Sequence, residues 1–297
     1  MKLLILGSGK LLLNLIDELS KYPEIDLIGI CNLSFRKTVT EWTQKELDDK
    51  RIRMVALDLE EMKKADMVLS FNCSVILPEE IVNGVDIINV HVGILPKYRG
   101  NSANTWAIMN GEKYIGFTIH KMVEMLDAGD IYYVEKIPID RDSTYSDVYD
   151  ELMMSMVEKT PTVILGIYKG DIYPKIQGGE FLYCTMFSKE MGNIRNFHVK
   201  SVYIHNLFRC MARPHGSGIY FFRNGDMYET RKVLLGKDCG VCDYTGIPGK
   251  IVNIYENTLW VKTEDNVVIF GDIVDAYGNP VDVTAVFKNG QKLDTEV

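Results

Sequence analysis

Along the first 170 residues, short apolar runs alternate with stretches whose apolar positions recur every three or four residues. Lys2-Leu3-Leu4-Ile5-Leu6, Asp26-Leu27-Ile28-Gly29-Ile30-Cys31, Met67-Val68-Leu69-Ser70-Phe71 and Val85 to Val90 read as buried strands, because each run is too short for a helix. Between the first two, Leu11, Leu12, Leu15, Ile16 and Leu19 mark one helical face. Strands separated by helical stretches predict an α/β, Rossmann-like, mostly parallel sheet with crossover helices. Ile115 to His120 and Ile131 to Glu135 are two further strands that extend this sheet. Thr144 and Asp147 have capping-box spacing ahead of a helix whose Val148, Leu152, Met156 and Val157 share a face, and which should end near Gly166 or Gly170.

The pattern changes beyond Gly178-Gly179. After Arg213-Pro214 the chain reads as short strands with turns at Asn224-Gly225, Pro248-Gly249, Tyr277-Gly278 and Asn289-Gly290, which predicts a small β-barrel of the OB type. A chain of 297 residues is long for one compact domain. Two are therefore expected, a catalytic domain over 1–190 and a C-terminal OB-like domain over 191–297.

Composition narrows the function classes. With 46% hydrophobic and 25% charged residues the chain is an ordinary globular protein rather than a disordered one. Its formal charge is -8, and residues 191–297 carry 12 Lys+Arg against 12 Asp+Glu, so the negative balance sits in the first part. A nucleic-acid face normally carries surplus cations, which argues against nucleic acid as partner. The six scattered cysteines and the lack of any long apolar span point to a reducing cytoplasm and no membrane partner. A homodimer is the oligomer expected of a protein this size.

Two glycine- and cysteine-based motifs read as structure. In Gly7-Ser8-Gly9-Lys10, Leu4 and Leu11 stand where a phosphate loop needs Gly and Ser or Thr, and Leu12 replaces the third glycine of a dinucleotide fingerprint, leaving a tight turn. Cys239-Gly-Val-Cys242 has ligand spacing but no second pair to complete a zinc site, so no metal is expected.

The stretch Asn89-Val90-His91 is different. Residues two apart on a strand project to one side, so the end of an apolar strand presents an asparagine and a histidine together, where open α/β sheets bind ligands. Asp127, in the loop between the two later strands, is placed to fold back onto His91 and favour its protonated form. An amide donor for a developing oxyanion, an imidazole for a proton and a carboxylate behind it suit attack of an amine on a carbonyl without a serine or cysteine nucleophile.

Asn89-Val90-His91, Leu95-Pro96-Lys97-Tyr98-Arg99-Gly100, Asn110-Gly111-Glu112, Gly116-Phe117-Thr118-Ile119-His120 and Leu126-Asp127-Ala128-Gly129-Asp130 together resemble the 10-formyltetrahydrofolate-dependent formyltransferases. That family includes methionyl-tRNA, glycinamide ribonucleotide and sugar-nucleotide N-formyltransferases. Asn206 to Pro214, Pro248 to Val252 and Gly290 to Leu293 resemble its C-terminal domain, so the likeness runs nearly the full length. It implies Asn89, His91 and Asp127 as the catalytic set and 10-formyltetrahydrofolate as formyl donor, bound near Phe71, Ile88, Leu126 and Asp130. It also implies an acceptor entering by Lys97, Tyr98 and Arg99, with Tyr98 stacking on a ring while Lys97, Arg99 or Arg213 meets phosphate.

Two departures stand out: Gly93 occupies the place of a usual serine, and Ile194-Arg195-Asn196-Phe197 that of Ile-Asp-Trp. The loop motifs lie closest to the UDP-4-amino-arabinose type, so the expected acceptor is the amine of a UDP- or dTDP-linked amino-deoxy sugar, for surface glycan synthesis. Methionyl-tRNA formylation is the alternative, and a non-catalytic folate or nucleotide binder is the reading from another class.

Overall fold

The computed structural model describes residues 1–241 and 243–293. The chain divides into two compact units, the first formed by residues 1–104, 114–138 and 150–185, the second by 105–113, 139–149 and 186–297.

In chain order the early elements are β1 (Lys2–Gly7), α1 (Lys10–Leu19), β2 (Asp26–Asn32), α2 (Lys37–Asp49), α3 (Leu59–Met62), β3 (Met67–Phe71), α4 (Glu79–Gly84) and β4 (Ile87–His91). They are followed by β5 (Tyr98–Gly100), α5 (Ala103–Met109), β6 (Tyr114–Lys121), β7 (Ile131–Pro138), α6 (Tyr145–Lys169) and β8 (Leu182–Cys184). The first unit holds a six-stranded sheet of order β2-β1-β3-β4-β6-β7, parallel from β2 to β4 and antiparallel from β4 to β7. Every residue of β3, and β1 from Leu3 onward, is buried. Burial on both faces explains why these strands are unbroken apolar runs rather than alternating ones. Leu4, Leu6, Val68 and Ile87 pack with Met62, Leu77 and Ile81 on one side of the sheet.

The capping box forms as read: the Thr144 N–H donates to the Asp147 carboxylate at 2.7 Å and the Asp147 N–H to Thr144 Oγ1 at 3.2 Å. The helix it starts, α6, buries Val148, Leu152, Met156 and Val157 and ends at Lys169, before Gly170 in the left-handed region.

The second unit contains α7 (Ser201–Met211), β9 (Ile219–Arg223), β10 (Asp226–Leu235), β11 (Ile251–Tyr255), β12 (Thr258–Lys262) and β13 (Val267–Asp275). Its five strands form an antiparallel sheet of order β11-β12-β13-β10-β9 over a core in which Phe221, Phe270, Phe287 and Tyr228 are in ring contact. Asn224 and Gly225, both at positive φ, turn β9 into β10. Buried Arg209 on α7 donates to the carbonyls of Ser143 and Asp140 and to Asn206, holding the 139–149 segment. Cys239 is exposed in a short turn, and Cys242, its partner in the sequence motif, lies outside the described residues. Among the described residues no helix is long and apolar enough to cross a membrane.

Candidate active site

The antiparallel pairing of β4 with β6 sets Asn89 opposite His120 and His91 opposite Thr118. Side chains alternate along a strand, so these four lie on one face, and a one-residue slip of β6 against β4 would turn His120 and Thr118 away from Asn89 and His91. The Asn89 amide nitrogen lies 3.0 Å from His120 Nε2. His120 Nδ1 is 2.8 Å from the Lys121 carbonyl. A carbonyl only accepts, so in the neutral ring Nδ1 carries the proton and Nε2 accepts from Asn89. That bond fixes which end of the Asn89 amide is nitrogen and leaves its second N–H unused by His120.

His91 is tied in the same manner. Its Nε2 donates to the Tyr98 carbonyl at 2.7 Å, which leaves Nδ1 as the basic nitrogen of the neutral ring. Nδ1 faces Asp127 Oδ2 at 3.4 Å, while Asp127 Oδ1 lies 3.5 Å from His120 Nε2. The two imidazoles thus share one carboxylate, with ring centroids 6.3 Å apart and planes nearly perpendicular. Asp127 also accepts the Gly100 N–H at 2.8 Å. His91 and His120 are buried, whereas Asn89 and Asp127 are partly exposed.

Burial pushes the His91 imidazole below its ordinary pKa, with the Asp127 charge and the Tyr98 carbonyl opposing this and His120 adding to it. His91 is therefore neutral at neutral pH, with an acceptor lone pair available. Burial raises the Asp127 carboxyl, but the two imidazoles, whose protonated forms its charge favours, and the Gly100 N–H outweigh it, so the group sits below its ordinary value and is ionised.

The backbone around the set is close-packed. A Cβ on Gly93 would stand 2.5 Å from His91 Nε2 and 2.5 Å from Ala103 Cβ, so the serine found elsewhere has no room here unless these neighbours move. Thr118 steadies that loop instead, its hydroxyl donating to the Gly93 carbonyl at 2.7 Å and accepting the Leu95 N–H at 3.0 Å. Gly129 is equally constrained, since a Cβ there would fall 1.9 Å from the Lys121 carbonyl oxygen.

The structure brings Asn89, His91 and Asp127 together and adds His120, which the sequence reading quotes within a motif but does not assign to the site. Period-2 alternation from Thr118 is the signal that would have placed it there. The ligand contacts expected of other residues change. Phe71 and Ile88 are core side chains, which limits them to backbone contact with a donor, whereas Leu126 is half exposed and Asp130 partly so. Tyr98 is 3% exposed and cannot stack on an acceptor ring in this state; its carbonyl orients His91. Arg99 is also buried, its guanidinium 4.1 Å from the Phe181 ring centroid, and Arg213, in the second unit, is held by a two-pronged ion pair with Glu229 at 2.8 and 2.9 Å. Lys97 remains exposed, with Nζ 5.4 Å from the Tyr98 ring centroid.

A polar cluster at the end of a β-strand in an open α/β sheet, with an amide donor, a neutral imidazole and an ionised carboxylate, defines a group-transfer enzyme of the acyl type. Residues 33–164 match the family described as formyl transferase, and residues 186–291 match formyl transferase, C-terminal domain. Methionyl-tRNA formyltransferase of Clostridium beijerinckii is 30% identical over 238 residues, 79% of this chain and 74% of the relative. Among solved structures, an N-formyltransferase from Helicobacter canadensis in complex with folinic acid and dTDP-3-aminofucose superposes with a TM-score of 0.68 at 18% identity, over 91% of this chain and 98% of that one. A sugar N-formyltransferase from a Shewanella species does so with a TM-score of 0.63 at 22% identity, over 78% and 97%. The chain belongs to the formyl transferase family. It is an enzyme that takes its formyl group from 10-formyltetrahydrofolate.

Proposed function

We propose that this enzyme formylates the amine of an amino-deoxy sugar nucleotide, UDP- or dTDP-linked. The observation that carries the choice is charge: the chain has a net -8 and its last 107 residues are neutral overall, whereas a tRNA acceptor calls for surplus cations. Sugar N-formyltransferases of the same fold support it. Methionyl-tRNA formylation is the second reading, favoured by the 30% identity to enzymes of that name.

The donor set fits a formyl group. Asn89 has an N–H left for the formyl oxygen, and half-exposed Leu126 and exposed Met125 beside Asp127 offer an apolar edge to a folate ring. Bound 10-formyltetrahydrofolate supplies the activated formyl carbonyl. As the acceptor nitrogen bonds to the formyl carbon, the Asn89 N–H meets the oxygen on which charge develops. His91 takes the proton lost by the amine at Nδ1, and ionised Asp127 stabilises the imidazolium so formed. As the old C–N bond breaks, the proton passes from His91 to the departing nitrogen.

The acceptor is tested by following tetrahydrofolate release at fixed 10-formyltetrahydrofolate with a panel of UDP- and dTDP-amino sugars and with methionyl-tRNA. Turnover with a sugar and none with tRNA is expected. Turnover with tRNA alone, steeply weakened by salt, would replace this reading by the second one. Folate binding with no turnover on any acceptor would leave a binding protein.

The pH dependence tests the acid. A base must be neutral to act, so kcat/KM should fall on the acid side through the His91 pKa, below the ordinary value of about 6.5. The Asp127 charge raises that pKa, so Asp127→Asn should move the acid limb to still lower pH as well as reduce the rate. An unmoved limb in a folded variant would leave Asp127 only a role in shaping the loop.

A further inference from the structure

We propose that Gln177 is a positioning residue for Asp127, holding the carboxylate-bearing loop through a hydrogen-bonded chain that begins at buried Arg99. The proposal rests on the reading of Asp127 as the acid paired with His91. The loop from Val123 to Leu126 is exposed and buries little that would hold it in place. Asp127 itself has φ +52°, in the left-handed region that a residue with a Cβ adopts at a cost and keeps only when its surroundings enforce it.

The enforcing groups come from far along the chain. Gln177 Nε2 donates to the Asp127 carbonyl at 2.8 Å and to the Gly129 carbonyl at 2.6 Å, while its Oε1 accepts from Arg99 Nη2 at 2.7 Å. Both N–H groups and the carbonyl of the amide are thus engaged. A flipped amide would set Nε2 against a cation and Oε1 against two carbonyls, so this orientation is the stable one. Gln177 is also the one residue from Tyr173 to Phe181 that is not exposed, a polar side chain turned inward from a stretch that otherwise faces solvent.

Arg99 explains the arrangement from the other end. Its guanidinium lies 4.1 Å from the Phe181 ring centroid and 5.8 Å from that of Tyr183, and Nη1 donates to the Tyr183 hydroxyl at 3.4 Å. Among the described residues no carboxylate lies within ion-pair distance of it, so the Gln177 carbonyl is its principal acceptor. The parallel pairing of β5 with β8 sets Arg99 beside Tyr183. The next residue, Gly100, donates its N–H to the Asp127 carboxylate. One short strand therefore holds Asp127 twice, at its side chain through Gly100 and at its backbone through Arg99 and Gln177.

The test is an NMR titration of the imidazoles in the full-length protein, where five histidines make assignment by single substitution practical. His91 faces Asp127 and His120 as its titratable neighbours, and His205, which faces Asp142, serves as control. Gln177→Leu, and Gln177→Met as a variant closer in length, are expected to lower the His91 pKa by about half a unit or more, because the supporting carboxylate drifts away, and to leave His205 unchanged. In turnover, kcat should fall about 10- to 100-fold with KM for the donor little altered. In an Asp127→Asn background Gln177→Leu should cost nothing further, since it acts through that carboxylate. Folded Gln177 variants with a wild-type His91 titration, while Asp127→Asn shifts it, would overturn the proposal. If Asp127→Asn itself leaves His91 unmoved, the pairing of Asp127 with His91 fails instead.

Discussion

His91→Ala should lower formyl transfer by about 100- to 10,000-fold, the range expected when the group that accepts a proton in the transition state is lost. Nδ1 is the only nitrogen of the neutral ring with a free lone pair, because Nε2 donates to the Tyr98 carbonyl. His120 cannot take over, since its own basic nitrogen accepts the Asn89 amide. The substitution leaves the buried Tyr98 carbonyl without this donor, which costs stability on the order of 1–3 kcal/mol. The sheet behind it, with Leu3 to Leu6, Val68 and Leu69 fully or nearly fully buried, should keep the variant folded. Measured turnover is to be read beside a thermal melt. A folded variant with wild-type turnover would remove His91 from the reaction.

The strand-helix alternation of the first unit was legible because its central strands are covered on both faces and therefore written as plain apolar runs. Asn89 and His91 stood out because they break such a run at the strand's end. His120 did not, because alternation from Thr118 shows only which face it shares, while its partnership with Asn89 depends on the antiparallel register between β4 and β6. The burial of Tyr98 and Arg99 escapes local reading for a related reason. Lys97, Tyr98 and Arg99 look like a ligand-facing surface in sequence, yet β5 pairs with β8, 84 residues away in the chain, and takes Tyr98 and Arg99 inside. Helix α7 was hidden by its own chemistry: His205, Asn206 and Arg209 are buried polar residues that interrupt the periodicity of Ile204, Leu207, Cys210 and Met211. Their burial is made tolerable by partners such as Asp142 and the carbonyls of Met109, Ser143 and Asp140, none of them near in sequence.

Asn89→Ala should cut kcat by roughly 100- to 1000-fold with KM for the donor less affected, as expected of a donor whose bond is strongest when the formyl oxygen carries charge. The amide is held in place beforehand: His120, anchored on the Lys121 carbonyl, accepts one N–H and leaves the other for the ligand. No reorientation is then needed as charge develops. Asn89→Asp separates this role from packing, because aspartate has nearly the same shape but no N–H to give and adds a negative charge near ionised Asp127. If Asn89 acts as donor, the aspartate variant should lose at least as much turnover as the alanine variant. If it only fills space beside His120, Asn89→Leu, of similar volume but with no N–H and no charge, should stay near wild type while alanine loses activity. The two outcomes differ by orders of magnitude, so a single-turnover comparison of these variants decides between them.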